Sequence, residues 1–366
     1  MEWFWLFSVS LYCGAVFILI KFVQAPAKEG NYTPTVAILI AMRNEAANLP
    51  SLFQALEQLQ YPQHLLEIWL LDDASTDATP QLAKAFAQQH PHVHYLRITH
   101  HHHGLEGKMN ALAIGIQRSQ GEIIFITDAD CQPPPTWVQS TVQYFTNSKV
   151  GLIGGANIIR GKNWLQELQR QDLLYLLGMA SALTHAGFPL SILGNNMAFR
   201  RQAYQAVGGF EAIGFSITED AALLHAIQKN GQFAILFPLI PQTAIRSSPL
   251  PALQDVWRQR LRWAVGGKSI VPLWGWLLVL PGVIPRLLAW WAVPALPFYL
   301  GFLPFLGLLI TNVLFISRIF NQLQLSFSLG KWLLVEGWLN SYLPLLAIIT
   351  PFKRTVFWKN RRFNLQ

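Results

Sequence analysis

Both ends of this chain are too apolar to be left in water, and that limits every fold it can adopt. Trp3 to Ile20 carries no charged side chain and is long enough to cross a bilayer, with Lys21 and Lys28 marking its far side. Residues 1–23 therefore read as a membrane anchor. A cleaved signal peptide is the rival reading, but Glu2 stands where a basic segment belongs and no cleavage box precedes Lys21. A second apolar block starts after Lys268 and runs to Phe352, interrupted by Arg286, by the polar segment Ser317 to Lys331, and by Glu336. Residues 267–352 are expected to hold interfacial and transmembrane helices. Leu287 to Ile316 and Trp332 to Thr350 are the expected spans, and Ile270 to Ile284, rich in Trp and Pro, is a further span or a helix lying in the interface.

Charge sets the orientation. The tail, residues 353–366, carries Lys353, Arg354, Lys359, Arg361 and Arg362 and no acid, so the positive-inside rule places it in the cytoplasm. Lys21 and Lys28 place the start of the middle region there too, and the C-terminal block is then expected to cross an even number of times, as two spans plus an interfacial segment. With 52% hydrophobic and 13% charged residues the chain is not a wholly soluble protein. Its net charge of +8 is concentrated at the membrane edges and in one late motif, which favours anionic lipid over nucleic acid as its source. Cys13 lies in the first apolar run and Cys131 in a polar cluster, so no disulfide framework is implied and a reducing, cytoplasmic side is consistent.

Residues 34–266, between these blocks, alternate short apolar runs with amphipathic segments, the pattern of an α/β sheet with helices on both faces. Val36 to Ala41 and Glu67 to Asp73 read as strands, with Asn48 to Leu59 a helix between them; Val93 to Ile98 and the run ending at Ile126 supply two more, with a helix around Ala111 to Gln117. Two of these strands end in acids. Asp72 and Asp73 lead into a segment where Ser75, Thr76 or Asp77 caps the next helix. In FITDADCQPPPTWV, Asp128 and Asp130 follow the apolar run one residue apart, so in an extended segment they point the same way while Ala129 points back. Such a pair at a strand's carboxyl end, where α/β sheets place ligands, suits Mg2+ or Mn2+, which take oxygen ligands from one or two carboxylates and from substrate phosphates. The acidic loop of an ordinary turn is the plainer alternative. The run His100 to His103 reads as a loop with a structural or incidental role, because four consecutive imidazoles cannot converge on one ion from a regular element.

Taken in order, AMRNEAANL, LLDDASTDAT, GKMNAL, ITDADCQPPPTWV, GNNMAFRR, TEDAAL and QRLRW resemble the membrane-associated family 2 glycosyltransferases, the group of the cellulose, chitin and hyaluronan synthases and the ceramide glucosyltransferases. The likeness runs from about Val36 to Trp263, and Ala41 departs from it, since many relatives carry proline there. It implies a nucleotide-sugar-binding mixed sheet of the GT-A type with transmembrane helices at both ends. It implies that Arg43, Asn44, Glu45 and Asp73 hold the base and ribose of a nucleotide sugar, expected to be UDP-linked, while Asp72 binds or merely caps a turn. Asp130 coordinates the cation; Asp128 shares it or contacts the ribose or donor sugar. Lys108 adds positive charge near donor phosphate or sugar oxygens. Asp220 is the implied base toward the acceptor hydroxyl and Glu219 a neighbour that shapes the site, although acids in a helix's first turn also suit its dipole. Arg262 and Gln259 pair with the diphosphate, and Trp263 offers a flat face to an acceptor sugar or lipid. Gly194, Asn195 and Asn196 line the acceptor side, with Arg200 and Arg201 in support. The expected activity is inverting transfer of a sugar to a lipid acceptor at a bacterial cytoplasmic membrane. A processive polysaccharide synthase subunit and an inactive sugar- or lipid-binding scaffold are the alternatives.

Overall fold

The alternating pattern resolves into strands and helices close to where the sequence places them. The computed structural model of the chain describes residues 1–24, 26, 30–268, 270–353, 355–358 and 361–364; Lys28, Arg354 and Lys359, used above to orient the chain, lie outside these. In order, the elements are α1 (Glu2–Ile20), β1 (Val36–Met42), α2 (Leu49–Glu57), β2 (Leu66–Asp72), α3 (Thr79–Gln89), β3 (Val93–Arg97), α4 (Gly107–Arg118), β4 (Ile123–Asp128), β5 (Cys131–Gln132), α5 (Trp137–Val142), β6 (Val150–Gly154), β7 (Asn157–Ile159), α6 (Trp164–His185), β8 (Asn196–Arg200), α7 (Arg201–Ala206), α8 (Gly209–Ile213), α9 (Glu219–Asn230), β9 (Ala234–Leu236), β10 (Ile245–Ser247), α10 (Leu253–Lys268), α11 (Leu273–Ala295), α12 (Phe298–Gln322) and α13 (Leu329–Ile349). A two-stranded ribbon, Thr355–Trp358 with Arg361–Asn364, comes last. The chain divides into two units, one built from residues 25–160 and 191–248, the other from residues 1–24, 161–190 and 249–366.

The first unit is the sheet unit. Its main sheet runs β3-β2-β1-β4-β8-β6-β9, all parallel except β8, which is antiparallel to both β4 and β6. Alternation along β1 explains why both faces are covered: Val36, Ile38, Ile40 and Met42 pack with α2 and α3, whereas Ala37 and Leu39 pack with α4 and α9. Gly121 allows the turn into β4 to pass against β1, since a Cβ there would lie 2.3 Å from the Ala37 nitrogen. A small sheet, β5-β10-β7, takes up the chain just beyond Asp130.

The second unit is helical. Among the described residues four helices are long and apolar enough to cross a membrane: α1, Trp274–Ala295, α12 and Leu329–Phe352. Here the expected boundaries change. Ile270 to Ile284 is not a separate segment; it runs into α11, which continues to Ala295, and the break falls at extended Leu296 before Pro297, inside the expected span Leu287 to Ile316. Proline disfavours helical backbone in the residue before it, whereas Pro281, Pro285 and Pro294 are carried within the helix. Polar groups inside the unit are joined to one another. Buried Arg286 donates to the hydroxyls of Tyr12 (3.4 Å) and Tyr175 (3.3 Å), Tyr12 donates to Asn312 Oδ1 (2.5 Å), and Asn312 Nδ2 reaches both oxygens of Glu336 (2.8 and 3.0 Å). Leaving any of these unpaired in an apolar surrounding would cost several kcal/mol, which is why they occur as a connected set.

Candidate active site

Register brings the acids together. Met42 lies opposite Asp72 and Ala41 opposite Asp128, so the ends of β1, β2 and β4 share one edge of the sheet. Asn196 lies opposite Thr127, so antiparallel β8 starts at the edge where β4 stops. The loop after β1, the Asp72-Asp73 corner, Asp128 to Asp130 and Gly194 to Asn196 therefore meet at that rim.

The loops after β1 and β2 are fastened to each other. Asp72 is fully buried and accepts from the Ser75 N–H and the Tyr95 hydroxyl, both at 2.9 Å, which decides for the turn-forming role. Asn44, at φ 54°, accepts from the Thr76 N–H at 2.8 Å while its own N–H donates to Ser75 Oγ at 3.0 Å. Glu45 accepts from Asn48 Nδ2 at 2.7 Å, and its N–H donates to Thr79 Oγ1 at 2.8 Å. These two side chains thus shape the loop. Arg43 donates to the Asp73 carbonyl at 2.9 Å and its guanidinium stands 3.8 Å from the Asp73 carboxylate, leaving arginine and acid side by side at the rim.

At the centre, Lys108 sits at the start of α4 with its ammonium 2.7 Å from Asp128 Oδ1 and 2.9 Å from Glu219 Oε1. Burial alone would lower its pKa, but the two carboxylates outweigh that and raise it, so it stays charged. Asp220, the next residue after Glu219 in the first turn of α9, accepts from the Gly194 N–H at 2.7 Å and the Ala221 N–H at 2.8 Å. Burial, and then the charge of Glu219, push its carboxyl up to about 6, against the lowering pull of Lys108 and the two N–H groups. Glycine at 194 leaves room for this contact: a Cβ there would lie 3.0 Å from Glu219 Oε1 and 3.2 Å from Asp220 Oδ2, so the carboxylates would have to shift. Asp130 continues from β4 toward the small sheet, where the Ser248 N–H donates to its carbonyl at 3.4 Å and the Cys131 thiol to Oδ1 at 3.4 Å. Burial, then Asp130 and Asp128, push that thiol's pKa well up, so Cys131 stays protonated.

One expected site residue is reassigned. Asn196 does not line an acceptor surface: its Oδ1 accepts from Trp137 Nε1 at 2.9 Å and its Nδ2 donates to the carbonyls of Ala156 (2.7 Å) and Thr243 (2.9 Å), so its polar atoms are spent joining β8 to α5 and the small sheet. Asn195 differs, since its Oδ1 is buried without a hydrogen-bond partner. Arg200 and Arg201 do not support the rim: β8 runs away from it and ends with Arg200 opposite Ile123, where β4 begins, so Arg200 holds Glu122 (2.7 Å) and Arg201 the carbonyls of Gly121 and Ile116 (both 2.8 Å) at the other edge of the sheet. The histidine run is a loop, as its composition suggested: the His102 N–H donates to Asn110 Oδ1 and Asn110 Nδ2 donates to the His100 carbonyl.

Gln259, Arg262 and Trp263 lie on α10 in the helical unit. The residue that touches both Gln259 and Trp263 was missed in the sequence. Arg260 is buried, donates to Asp172 Oδ2 of α6 through Nε (2.9 Å) and Nη2 (2.6 Å), donates to Gln259 Oε1 at 2.8 Å, and stands 4.4 Å over the Trp263 ring. Asp172, an acid set directly before the apolar stretch LLYLLG, was the available signal for a buried cation partner.

A parallel-rich mixed sheet with its acids gathered at the carboxyl edge is the architecture of the GT-A glycosyltransferases. The chain belongs to glycosyl transferase family 21, whose model matches residues 3–366, and this narrows the family 2 resemblance of its motifs. It is similar to a beta-monoglucosyldiacylglycerol synthase of Nostoc sp., at 30% identity over 239 residues, 64% of this chain and 49% of the relative. It is also similar to a poly-beta-1,6-N-acetyl-D-glucosamine synthase of Staphylococcus epidermidis, at 26% identity over 246 residues, 64% of this chain and 55% of the relative. The chain spans about half the length of these curated relatives. In fold it is similar to a mannosyltransferase from Pyrobaculum calidifontis solved with GDP-Man and Mn2+, with a TM-score of 0.60 at 20% identity, covering 96% of this chain and 99% of that one.

Proposed function

We propose that this chain transfers a hexose from a nucleotide sugar, UDP-linked, to a lipid acceptor at the membrane surface, inverting the anomeric centre. The observation that carries the reading is the single cluster of Asp128, Lys108, Glu219 and Asp220 at the carboxyl rim of the sheet. It sets a cationic and acidic donor side beside a buried carboxylate whose raised proton affinity suits a base working near neutral pH. The relatives named above add the acceptor class: one is named for a diacylglycerol product, and four membrane-length helices accompany the sheet unit here.

The donor set also fits a divalent cation. Asp128 and Asp130 offer two carboxylates, so a cation held by them would share its shell with substrate oxygens, the habit of Mg2+ and Mn2+. Asp130 would hold it, with Asp128 second because its Oδ1 already pairs with Lys108. Bound there, the ion supplies positive charge to the departing diphosphate. The chain's own groups do the rest: Arg43 and Asp73 receive the nucleoside, Lys108 meets the phosphates, Gly194 holds Asp220 in place, and Asp220 takes the hydroxyl proton; the likeness of the QRLRW motif alone assigns Arg262 and Gln259 to phosphate and Trp263 to the acceptor.

Purified chain in nanodiscs, given UDP-glucose and dioleoylglycerol, is expected to release UDP and form a β-linked monoglucolipid. Chelation should abolish turnover and Mn2+ or Mg2+ restore it. A long polymer as product would favour the synthase reading, and no UDP release at all would favour a scaffold.

The same proposal places the sheet unit on the cytoplasmic face of a bacterial cytoplasmic membrane, where nucleotide sugars are made. An even number of C-terminal crossings then requires one of α11, α12 and α13 to stay at the interface. The reading keeps Leu329–Phe352 as a span and assigns the interfacial role to α11, which takes up the Trp- and Pro-rich segment Ile270 to Ile284. Single cysteines at Trp274 and Ala295 should label from the same face of sealed vesicles; labelling from opposite faces would make α11 a true span.

A further inference from the structure

Lys108 is shared between two jobs. Its ammonium has three N–H donors and little exposure (13%), and it is held at once by Asp128 from β4 and Glu219 from α9. Asp128 belongs to the donor side of the rim; Glu219 belongs to the acceptor side, adjacent to Asp220 and within 3.0 Å of where a Cβ on Gly194 would sit.

We propose that Lys108 is a positioning residue that couples donor binding to acceptor binding, through its joint hold on Asp128 and Glu219. This rests on the function proposed above. A diphosphate entering beside Asp128 competes for the Lys108 ammonium with a stronger, multiply charged acceptor of hydrogen bonds. As Lys108 turns toward it, Glu219 is left with its charge uncompensated, and that charge acts on Asp220 next door, which then accepts the acceptor hydroxyl's one proton in a stronger hydrogen bond. The reverse holds with equal magnitude, because a hydroxyl donating to Asp220 offsets the repulsion between the two adjacent carboxylates and frees Lys108 toward phosphate, and coupling between two binding events is reciprocal. The device favours the ternary complex over donor alone, and so favours transfer to lipid over loss of the sugar to water.

Other charged groups near α9 are already engaged. On α7, Arg201 is held by backbone carbonyls; on α8, Glu211 lies 3.3 Å from His102 Nε2; β6 and β9 bring no charged side chain to this face. The raised proton affinity of Asp220, due to burial and then to Glu219, agrees with a site in which the charge of Glu219 is felt next door.

The test uses UDP with Mn2+ as a donor-side probe that cannot turn over, and dioleoylglycerol in nanodiscs as the acceptor. In the unaltered chain, dioleoylglycerol should tighten UDP binding about fivefold or more, the lower range for coupled sites. Glu219→Gln should bring that ratio to about one while UDP still binds, and Lys108→Arg, which keeps the charge, should retain part of the ratio. Should Glu219→Gln unfold because Lys108 is left with one partner, the charge-balanced pair Lys108→Gln with Glu219→Gln carries the same expectation. A ratio unchanged by Glu219→Gln, or a ratio of one in the unaltered chain, overturns the coupling and leaves the proposed function standing. UDP failing to bind at all overturns the donor reading beneath it.

Discussion

Replacing Asp220 by asparagine should lower transfer about 10²- to 10⁴-fold, the usual contribution of a positioned general base, while UDP with Mn2+ binds with an affinity changed by no more than roughly a factor of two. The separation follows from where the groups sit. Asp220 is tied to Gly194 and to its own helix, and the donor-side groups Asp73, Lys108, Asp128 and Asp130 do not hydrogen-bond to it. Asparagine keeps the size of the side chain, but its NH2 turned toward Gly194 or Ala221 would face another donor, so one of those N–H contacts is lost, a cost of about 1–3 kcal/mol in stability. The pH dependence gives a second signature. Burial and Glu219 raise the Asp220 carboxyl to about 6, and a base has to be unprotonated, so kcat/KM for the acceptor should climb with pH and level off above that value. In Asp220→Asn this limb should vanish. Near-normal transfer by the variant, or a product that keeps the donor's anomeric configuration, would rule out single displacement with Asp220 as base.

Much of the sheet unit was legible because its strands show as apolar runs, and two of them announce themselves a second time by the acid that ends them. Glu67 to Asp73 and Ile123 to Asp128 are those cases. The pairing of carboxylates at the rim was legible for the same reason, since alternation along a strand fixes which side chains share a direction. Partner choice was not. Asn196 looked like a polar residue facing ligand, yet it is consumed by Trp137 Nε1 and two carbonyls, and nothing in GNNMAF distinguishes it from Asn195, whose Oδ1 remains unpaired. Lys108 was expected near phosphate on its motif alone; that it joins Asp128 to Glu219 depends on α4 and α9 meeting at the rim, a long-range fact without a local signature. The membrane-length helices were visible as composition, but their ends were not, because Pro281, Pro285 and Pro294 look like breaks and only Pro297 acts as one. In lipid-facing helices neighbouring groups re-satisfy the backbone that proline leaves bare, so the usual reading of proline as a terminator weakens there.

The largest effect on stability is expected from the ion pair that sequence reading missed. Asp172 is completely buried and Arg260 nearly so, with two hydrogen bonds of 2.9 and 2.6 Å between them and the Tyr342 hydroxyl donating to the remaining carboxylate oxygen at 2.9 Å. Removing one partner strands the other charge in a buried site, so Arg260→Ala and Asp172→Ala should each destabilise the folded chain by about 3–5 kcal/mol. Removing both together should cost much less than the sum, and the apolar pair Arg260→Met with Asp172→Leu should come close to the unaltered chain, since desolvating two charges offsets most of their attraction. Function should follow a different order. Arg260 also fixes the Gln259 amide through its Oε1 and lies over Trp263, so the apolar pair, though folded, should bind UDP and acceptor less well than the unaltered chain. Arg260→Lys should fall between, keeping the charge but not the planar fork that reaches Asp172 and Gln259 at once. Denaturant unfolding in detergent measures the stability cycle and UDP titration the functional one. Single substitutions that leave the unfolding midpoint in place would show that α6 and α10 are joined by their apolar contacts alone, and a fully active apolar pair would show that Gln259 and Trp263 need no arginine to hold them.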